Sequence, residues 1–281
     1  MAIRPPSIRE VPGTITIVPY NTTINQTHSY SVISRNGYIE KHKVNIMIEI
    51  LQTGLCQKYF PGSVPPIIIS IIFVLIAGYL LGSLNFGIII SKIFYNDDIR
   101  KYGSNSAGMT NMKRIYGTKA AAFTLAGDML KTAVAVLIGA LLLGDHVQGY
   151  TIMGTYLGGF ASIIGHAFPV YYGFKGGKSF ASAVMMILCT DWVVFLIFFA
   201  IFVAIVAWTK FLSLGSIMSI MIYPLILNRM TGSGFHNIIA MLTMLLIIFL
   251  HRENIKRLLG GTESKFSLKK KGEREKNETA E

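Results

Sequence analysis

The residues best suited to chemistry lie in GHAFPVYYGFKGGKSFA, residues 165–181, where Lys175, Gly176, Gly177 and Lys178 interrupt two apolar stretches. Two lysines around a glycine pair can present cationic side chains beside exposed backbone N–H groups, which is one way to hold a phosphate. A helix beginning near Ser179 would add its positive N-terminal end. The alternative is a basic loop joining two membrane helices, and from these residues alone both readings stand. A Walker A loop is excluded: GxxxxGK[ST] ending on Gly177, Lys178 and Ser179 needs glycine at position 172, where Tyr172 stands. No nucleotide is implied.

A second polar stretch, DDIRKYGSNSAGMTNMKR at 97–114, carries similar chemistry. Gly103, Ser104 and Gly108 let backbone approach a ligand, while Ser104, Thr110 and Asn111 offer uncharged hydrogen bonds. Arg100 and Arg114 can each grip an oxyanion with two parallel N–H bonds. Taken singly, each is equally well read as a solvated loop residue. A third stretch, HRENIKRLLGGTE at 251–263, puts His251 and Asn254 on one helix face. A positive-inside anchor accounts for Arg252, Lys256 and Arg257, but not for Asn254 or Glu263. Asp128 and Lys131, three residues apart inside an apolar run, must pair or face a polar interior, as a structural or a catalytic ion pair. Ser83, Asn85, Ser213 and Ser216 are placed to line the same cavity. Ser-His-Asp order, HExxH and HxxxxD are all missing from the sequence. The residues point to an enzyme or transporter handling a phosphorylated substrate at one membrane face.

The elements that position them are membrane helices. Of 281 residues 52% are hydrophobic and 14% charged, with a mean hydropathy of +0.52, against about 25% charged in a soluble domain. The polar residues crowd the ends, so the net charge of +12 speaks for lipid and topology rather than nucleic acid. Cys56 and Cys189 lie far apart, which argues against a disulfide scaffold and against a metal cluster. No cofactor and no obligatory protein partner is called for. Residues 1–66 read as a polar, flexible extension, without a signal-peptide pattern and with Met47 as a candidate start. Residues 67–263 form the membrane domain, and 264–281 a basic disordered tail. The expected fold is all-α: a polytopic bundle of about seven membrane segments at 67–94, 119–143, 150–164, 180–190, 192–208, 212–227 and 235–250. The segment 180–190 is too short to span and is expected as a half-helix or tilted piece. Arg100, Lys101, Lys113, Arg114, Lys175, Lys178 and Lys210 then share a side with the tail, opposite Asp145, Asp191 and Arg229. That basic side is cytoplasmic by the positive-inside rule. No internal repeat is visible, which weakens a transporter built from duplicated halves.

From about residue 67 to 263 the chain resembles the bacterial acyl-phosphate:glycerol-3-phosphate acyltransferases, small seven-helix membrane enzymes of phospholipid synthesis. DIRKYGSNSAGMTN, GHAFPVYYGFKGGKS and HRENIKRLLGGTE are similar to that family's three motifs, in order. The resemblance implies a bacterial inner-membrane enzyme, its site facing the cytoplasm, that moves an acyl group from acyl phosphate to position 1 of glycerol 3-phosphate. Lysophosphatidic acid and inorganic phosphate would be the products, with membrane lipid as the surrounding partner. Matched residue by residue, it implies glycerol-3-phosphate contacts at Ser104, Arg114, Lys178, Ser216, His251 and Asn254, and a phosphate loop at Gly176 and Gly177. Of these, Lys178, Arg114, Ser104, His251 and Asn254 would serve catalysis. No covalent acyl-enzyme is expected, and the acyl phosphate itself is a candidate proton acceptor. The chain departs from the family's pattern at Asn85 (usually Pro), Asn105 (Gly), Ser106 (Asn), Thr132 (Gly) and Ser179 (Gly). Serine has fewer allowed backbone conformations than glycine, so the loop ending at Ser179 is where the structure bears most. An organic-phosphate transporter is the nearest rival. A lipid phosphatase would need a nucleophile that the sequence does not offer.

Overall fold

A computed structural model describes residue 50 and residues 53–56, 58–60, 64–144, 146–147, 150–151 and 153–266. The expected extension and tail lie for the most part outside the described residues, as does Asp145. Among the described residues the regular structure is helical apart from a two-residue antiparallel ladder that pairs His146–Val147 with Tyr150–Thr151.

Ten helices follow in order: α1 Val64–Ser83, α2 Phe86–Tyr95, α3 Met109–Tyr116, α4 Thr118–Leu143, α5 Met153–Ala167, α6 Phe180–Thr190, α7 Trp192–Thr209, α8 Leu212–Thr231, α9 Gly234–Leu250 and α10 Arg252–Leu259. The single first span expected at 67–94 is broken. Asn85 leaves helical geometry and caps α2, its side chain accepting the Ile88 N–H. The stretch 95–118, expected as a loop, holds a 3₁₀ turn at Ile99–Lys101 and the short helix α3. Four spans have the length and apolarity to cross a bilayer: α1 with α2 (Val64–Tyr95), α4, α7 and α8. A fifth qualifies if α9 and α10, bent by 58°, count together. α5, with 15 residues, and α6, with 11, fall short of a crossing. The expected membrane bundle is therefore present, while the number seven is not established.

The packing follows from small residues. In a bilayer there is no hydrophobic drive between helices, so close backbone approach and dispersion must hold them. α5 sits between α1 and α4. A methyl at Gly82 of α1 would run into the Ser162 backbone of α5, one at Gly165 into the Tyr79 carbonyl, and one at Gly158 into the Ala135 carbonyl of α4. Thr132 and Ser162 close the α4–α5 seam with a 2.9 Å hydroxyl contact. On the other flank, Ile163, Met186, Phe198, Ile220, Tyr223 and Ile247 fill a core shared by α5, α6, α7, α8 and α9. α7 is apolar all round and leaves Trp192, Leu196 and Trp208 outward, as a lipid-facing helix does.

Gly82→Leu is expected to lose about 1–3 kcal/mol of stability by forcing α1 off α5. Gly234→Ala, at a site with open space around it, should stay within about 0.5 kcal/mol. Thermal unfolding in detergent compares the two, and equal effects would show that close approach does not hold the bundle.

Candidate active site

The site is built on a buried polar group beneath the loop that follows α5. Lys131 Nζ lies 2.8 Å from Asp128 Oδ1, donates to the Leu84 carbonyl at 2.8 Å, and meets His166 Nδ1 at 2.8 Å. Asp128 also accepts the Phe86 N–H at 3.3 Å. An ammonium only donates, so the short Lys131 contact makes Nδ1 of His166 an acceptor. The break in the first span thus supplies one carbonyl and one N–H to a charge pair that hydrocarbon would not tolerate alone. The charges expected at Asp128 and Lys131 do pair. Their third partner, His166, carried only one sequence signal: a histidine in an apolar run, ten residues before the glycine pair.

His166 forms the floor of the glycine loop. A side chain at Gly177 would overlap its ring, and one at Gly176 would overlap its carbonyl. The Gly177 N–H donates to the His166 carbonyl and the Gly176 N–H to the Ala167 carbonyl. These glycine N–H groups are spent on the loop itself, contrary to the reading that exposed them to a ligand. Glycine is required here for close approach. The donors that remain are those of the first turn of α6, which have no intrahelical partner. Ser179 precedes that turn without capping it: its hydroxyl instead donates to the Ile163 carbonyl at 2.8 Å. Ser179 takes φ +59°, a left-handed conformation that glycine adopts without cost. Its bond to Ile163 offsets that cost.

The loop is tied down from outside. Arg100 pairs with Asp98 and donates to the carbonyls of Tyr172 and Lys175, at 2.8 and 2.9 Å. It is a clamp between two loops, with a guanidinium already occupied, and so departs from its reading as an oxyanion grip. Ser83, read as a cavity residue, accepts the Val170 N–H, and Tyr79 donates to Phe168. Asn111 is buried and acts as the hub of the 97–114 stretch. Its amide donates to the carbonyls of Tyr102 and Ser106, and its oxygen accepts the Ser104 N–H at 3.1 Å. Asn105 sits at φ +55°, another left-handed position that asparagine tolerates better than most residues.

The third stretch closes the far wall. Glu263 accepts from Ser213 of α8 at 2.8 Å and from Asn254 and Arg257 of α10, each at 2.7 Å. Burial raises its carboxyl, but these three donors outweigh that and hold it below the usual glutamate range. His251 Nδ1 lies 2.8 Å from the Ile247 carbonyl, so it donates and leaves the lone pair on Nε2. Asn254 is 5% exposed, and its Oδ1 is buried without a partner. A buried acceptor with no partner among the described residues is able to take a hydrogen bond from a donor that enters beside it. Ser216 lies one turn below Ser213, with its hydroxyl on the Leu212 carbonyl.

Lys178 stands among these walls. Burial lowers its ammonium most, Arg257 adds to this, Glu263 opposes, and Arg114 lowers it further, leaving it at about 8. The structure therefore gathers Lys178, Arg114, His251 and Asn254 from three separate stretches around one place. Ser104 follows Gly103, whose backbone faces Arg114. Arg114 itself bonds Ser264 at 2.7 Å, Lys113 lies over the Phe266 ring, and the Phe266 N–H meets the Lys210 carbonyl. Residues 264–266, assigned to a disordered tail by sequence, are thus part of this wall.

The sequence model of the family described as Glycerol-3-phosphate acyltransferase matches residues 72–261. The chain belongs to that family. A glycerol-3-phosphate acyltransferase of Thermoanaerobacter sp. (strain X514) is 41% identical over 194 residues, 69% of this chain and 94% of the relative. That of Clostridioides difficile (strain 630) is 38% identical over 206 residues, 72% and 98%. Among solved structures, PlsY (YgiH), an integral membrane glycerol 3-phosphate acyltransferase, superposes in its glycerol 3-phosphate form with a TM-score of 0.65. It is 35% identical and covers 70% of this chain and 96% of the other. Its lysophosphatidic acid form gives 0.62 at 34% identity. This chain is thus a multi-pass membrane glycerol-3-phosphate acyltransferase.

The departures of this acyltransferase at 105 and 179 both fall where the backbone is left-handed, which is why glycine is the expected residue there. Ser179→Ala keeps the left-handed cost and loses the bond to Ile163, for a loss of about 1 kcal/mol. Ser179→Gly removes both and should be the more stable of the two. Chemical unfolding of the two variants orders them, and an alanine variant as stable as the glycine one would remove the bond's importance.

Proposed function

We propose that this acyltransferase takes its acyl group from acyl phosphate and delivers it to the sn-1 hydroxyl of glycerol 3-phosphate. It does so at the cytoplasmic face of a bacterial inner membrane, releasing lysophosphatidic acid and inorganic phosphate. The observation that carries this reading is the charge balance around Lys178: Lys178, Arg257 and Arg114 converge, with one carboxylate, Glu263, among them. Such a cluster in a half-buried place is unfavourable until a dianion neutralises it. The uncapped first turn of α6 adds donors aimed the same way. Orientation rests on the basic loops, which carry Arg100, Lys101, Lys113, Arg114, Lys175 and Lys178 on one side.

In this reading Lys178 and Arg114 hold the phosphate of glycerol 3-phosphate, beside the loop built by Gly176 and Gly177. Asn254 Oδ1 and His251 Nε2 accept from glycerol hydroxyls, with Ser104 and Ser216 completing the contacts. The C1 hydroxyl oxygen bonds to the acyl carbonyl carbon, the bond from that carbon to the phosphate oxygen breaks, and the leaving phosphate takes the hydroxyl proton. A mixed anhydride is already activated, so alignment and stabilisation of the developing charge are the protein's share. No acyl-enzyme forms.

Acyl-CoA of the same chain length should give no turnover above background, because no HxxxxD pair is present to deprotonate the hydroxyl. Equal rates with both donors would overturn the donor assignment. Label crossing sealed vesicles without product would indicate a transporter instead.

Lys178→Ala should lose about thirtyfold to a thousandfold in rate, whereas the exposed Lys210→Ala stays within about threefold. Because burial and the neighbouring arginines lower the Lys178 ammonium to about 8, deprotonation above that pH removes the cation. The KM for glycerol 3-phosphate should then rise through pH 8–9, and Lys178→Arg should abolish that rise whatever its rate. A flat KM across this range in the wild-type enzyme would separate Lys178 from phosphate.

A further inference from the structure

We propose that Asp128, Lys131 and His166 act as positioning residues that set the height of the glycine loop and so the place of Lys178. The inference rests on the reading of Lys178 as a phosphate contact, and it extends that reading to three residues with no contact to the reacting atoms.

The physical path is short and continuous. Lys131 has three ammonium protons and three acceptors at 2.8 Å: the Leu84 carbonyl, Asp128 Oδ1 and His166 Nδ1. Asp128 is fixed from a second side by the Phe86 N–H. His166 is therefore held in one orientation by groups on α4 and at the α1–α2 break. The face it turns toward the site is covered by bare backbone, since any side chain at Gly177 would overlap its ring. The next residue is Lys178. The backbone that carries Lys178 therefore rests directly on the ring that the buried charges hold.

Stability alone does not account for this trio. A buried ion pair is often no more stable than apolar residues filling the same volume, and it is costly to leave half-made. What a fully satisfied charged network does supply is a single geometry. A loop floor made of a ring bonded at Nδ1 and packed against Gly177 sets where the loop sits, and misplacement by about 1 Å can cost a hundredfold in rate. Charge in the span and glycine in the loop then serve one purpose, which is to set the backbone from which Lys178 reaches toward the other cations.

The test is a double-mutant cycle in the full chain, purified in lipid, with KM for glycerol 3-phosphate, kcat and melting temperature measured for each protein. His166→Gln keeps a donor and an acceptor but not the ring. It should raise KM about tenfold to a hundredfold with a smaller loss in kcat and little change in melting temperature. In a Lys178→Ala background the same change should add less than about twofold, because the residue being positioned is gone. Thr132→Val, which breaks the Thr132–Ser162 contact one residue from Lys131, should lower the melting temperature and leave KM alone. Asp128→Asn, which keeps shape and removes charge, repeats the cycle if His166→Gln does not fold.

Full multiplication of the two losses in the double variant, with Lys178→Ala defective by itself, overturns the positioning role and leaves the site reading intact. A melting shift without a KM change does the same. Wild-type KM in Lys178→Ala overturns the site reading and the positioning role together.

Discussion

A lysine ammonium inside a membrane span is tolerated only if each of its protons finds an oxygen or nitrogen, and the architecture of this protein follows from meeting that demand at Lys131. The first span breaks at Leu84 and Asn85, which frees one carbonyl for Lys131 and one N–H for Asp128. α5 comes close enough to deliver His166 because Gly78, Gly82, Gly158 and Gly165 remove side chains from its interfaces with α1 and α4. The glycine loop then has a fixed floor. Helix packing, backbone break and glycine loop are one problem with one solution.

Above that floor the protein gathers cations and leaves them underbalanced. Glu263 joins α8 to α10 and neutralises part of the charge, while Arg100 is consumed in holding two loops together. What remains is Lys178 with Arg114, beside the Arg257–Glu263 pair and the N-terminus of α6, and in the proposed function it receives the phosphate. Neutral acceptors beside the cations, Asn254 Oδ1 and His251 Nε2, suit hydroxyls. In the proposed function this combination receives a small phosphorylated polyol.

Much of this was legible in the sequence, and the rest failed for physical reasons. Apolar runs and polar interruptions located the helices of a membrane bundle without settling how many cross it, and the three motifs named the family. The break at Asn85 was passed over because the apolar runs on either side, 67–81 and 88–94, read together as one span, although Gly82, Ser83 and Gly87 surround it. Arg100 was misread because its partners, the Tyr172 and Lys175 carbonyls, are distant in sequence and are backbone atoms, on which residue type is silent. Glu263 looked unexplained because its role depends on the turn through Gly260 and Gly261, which brings it back onto Arg257. The glycine pair was read for its N–H groups, whereas the structure uses its lack of side chains. Asn105 and Ser179 stood out as departures, and only their positive φ values show what they had to accommodate.

The most direct test of the account is the position of the phosphorus atom when glycerol 3-phosphate is bound to the full chain, determined by crystallography in a lipid phase. The account places it within hydrogen-bonding reach of Lys178 Nζ, at the start of Phe180–Thr190, with a glycerol hydroxyl donating to Asn254 Oδ1. A phosphate held instead by Lys101 or Lys175 on the outer loops, with Lys178 and Asn254 untouched, would contradict it.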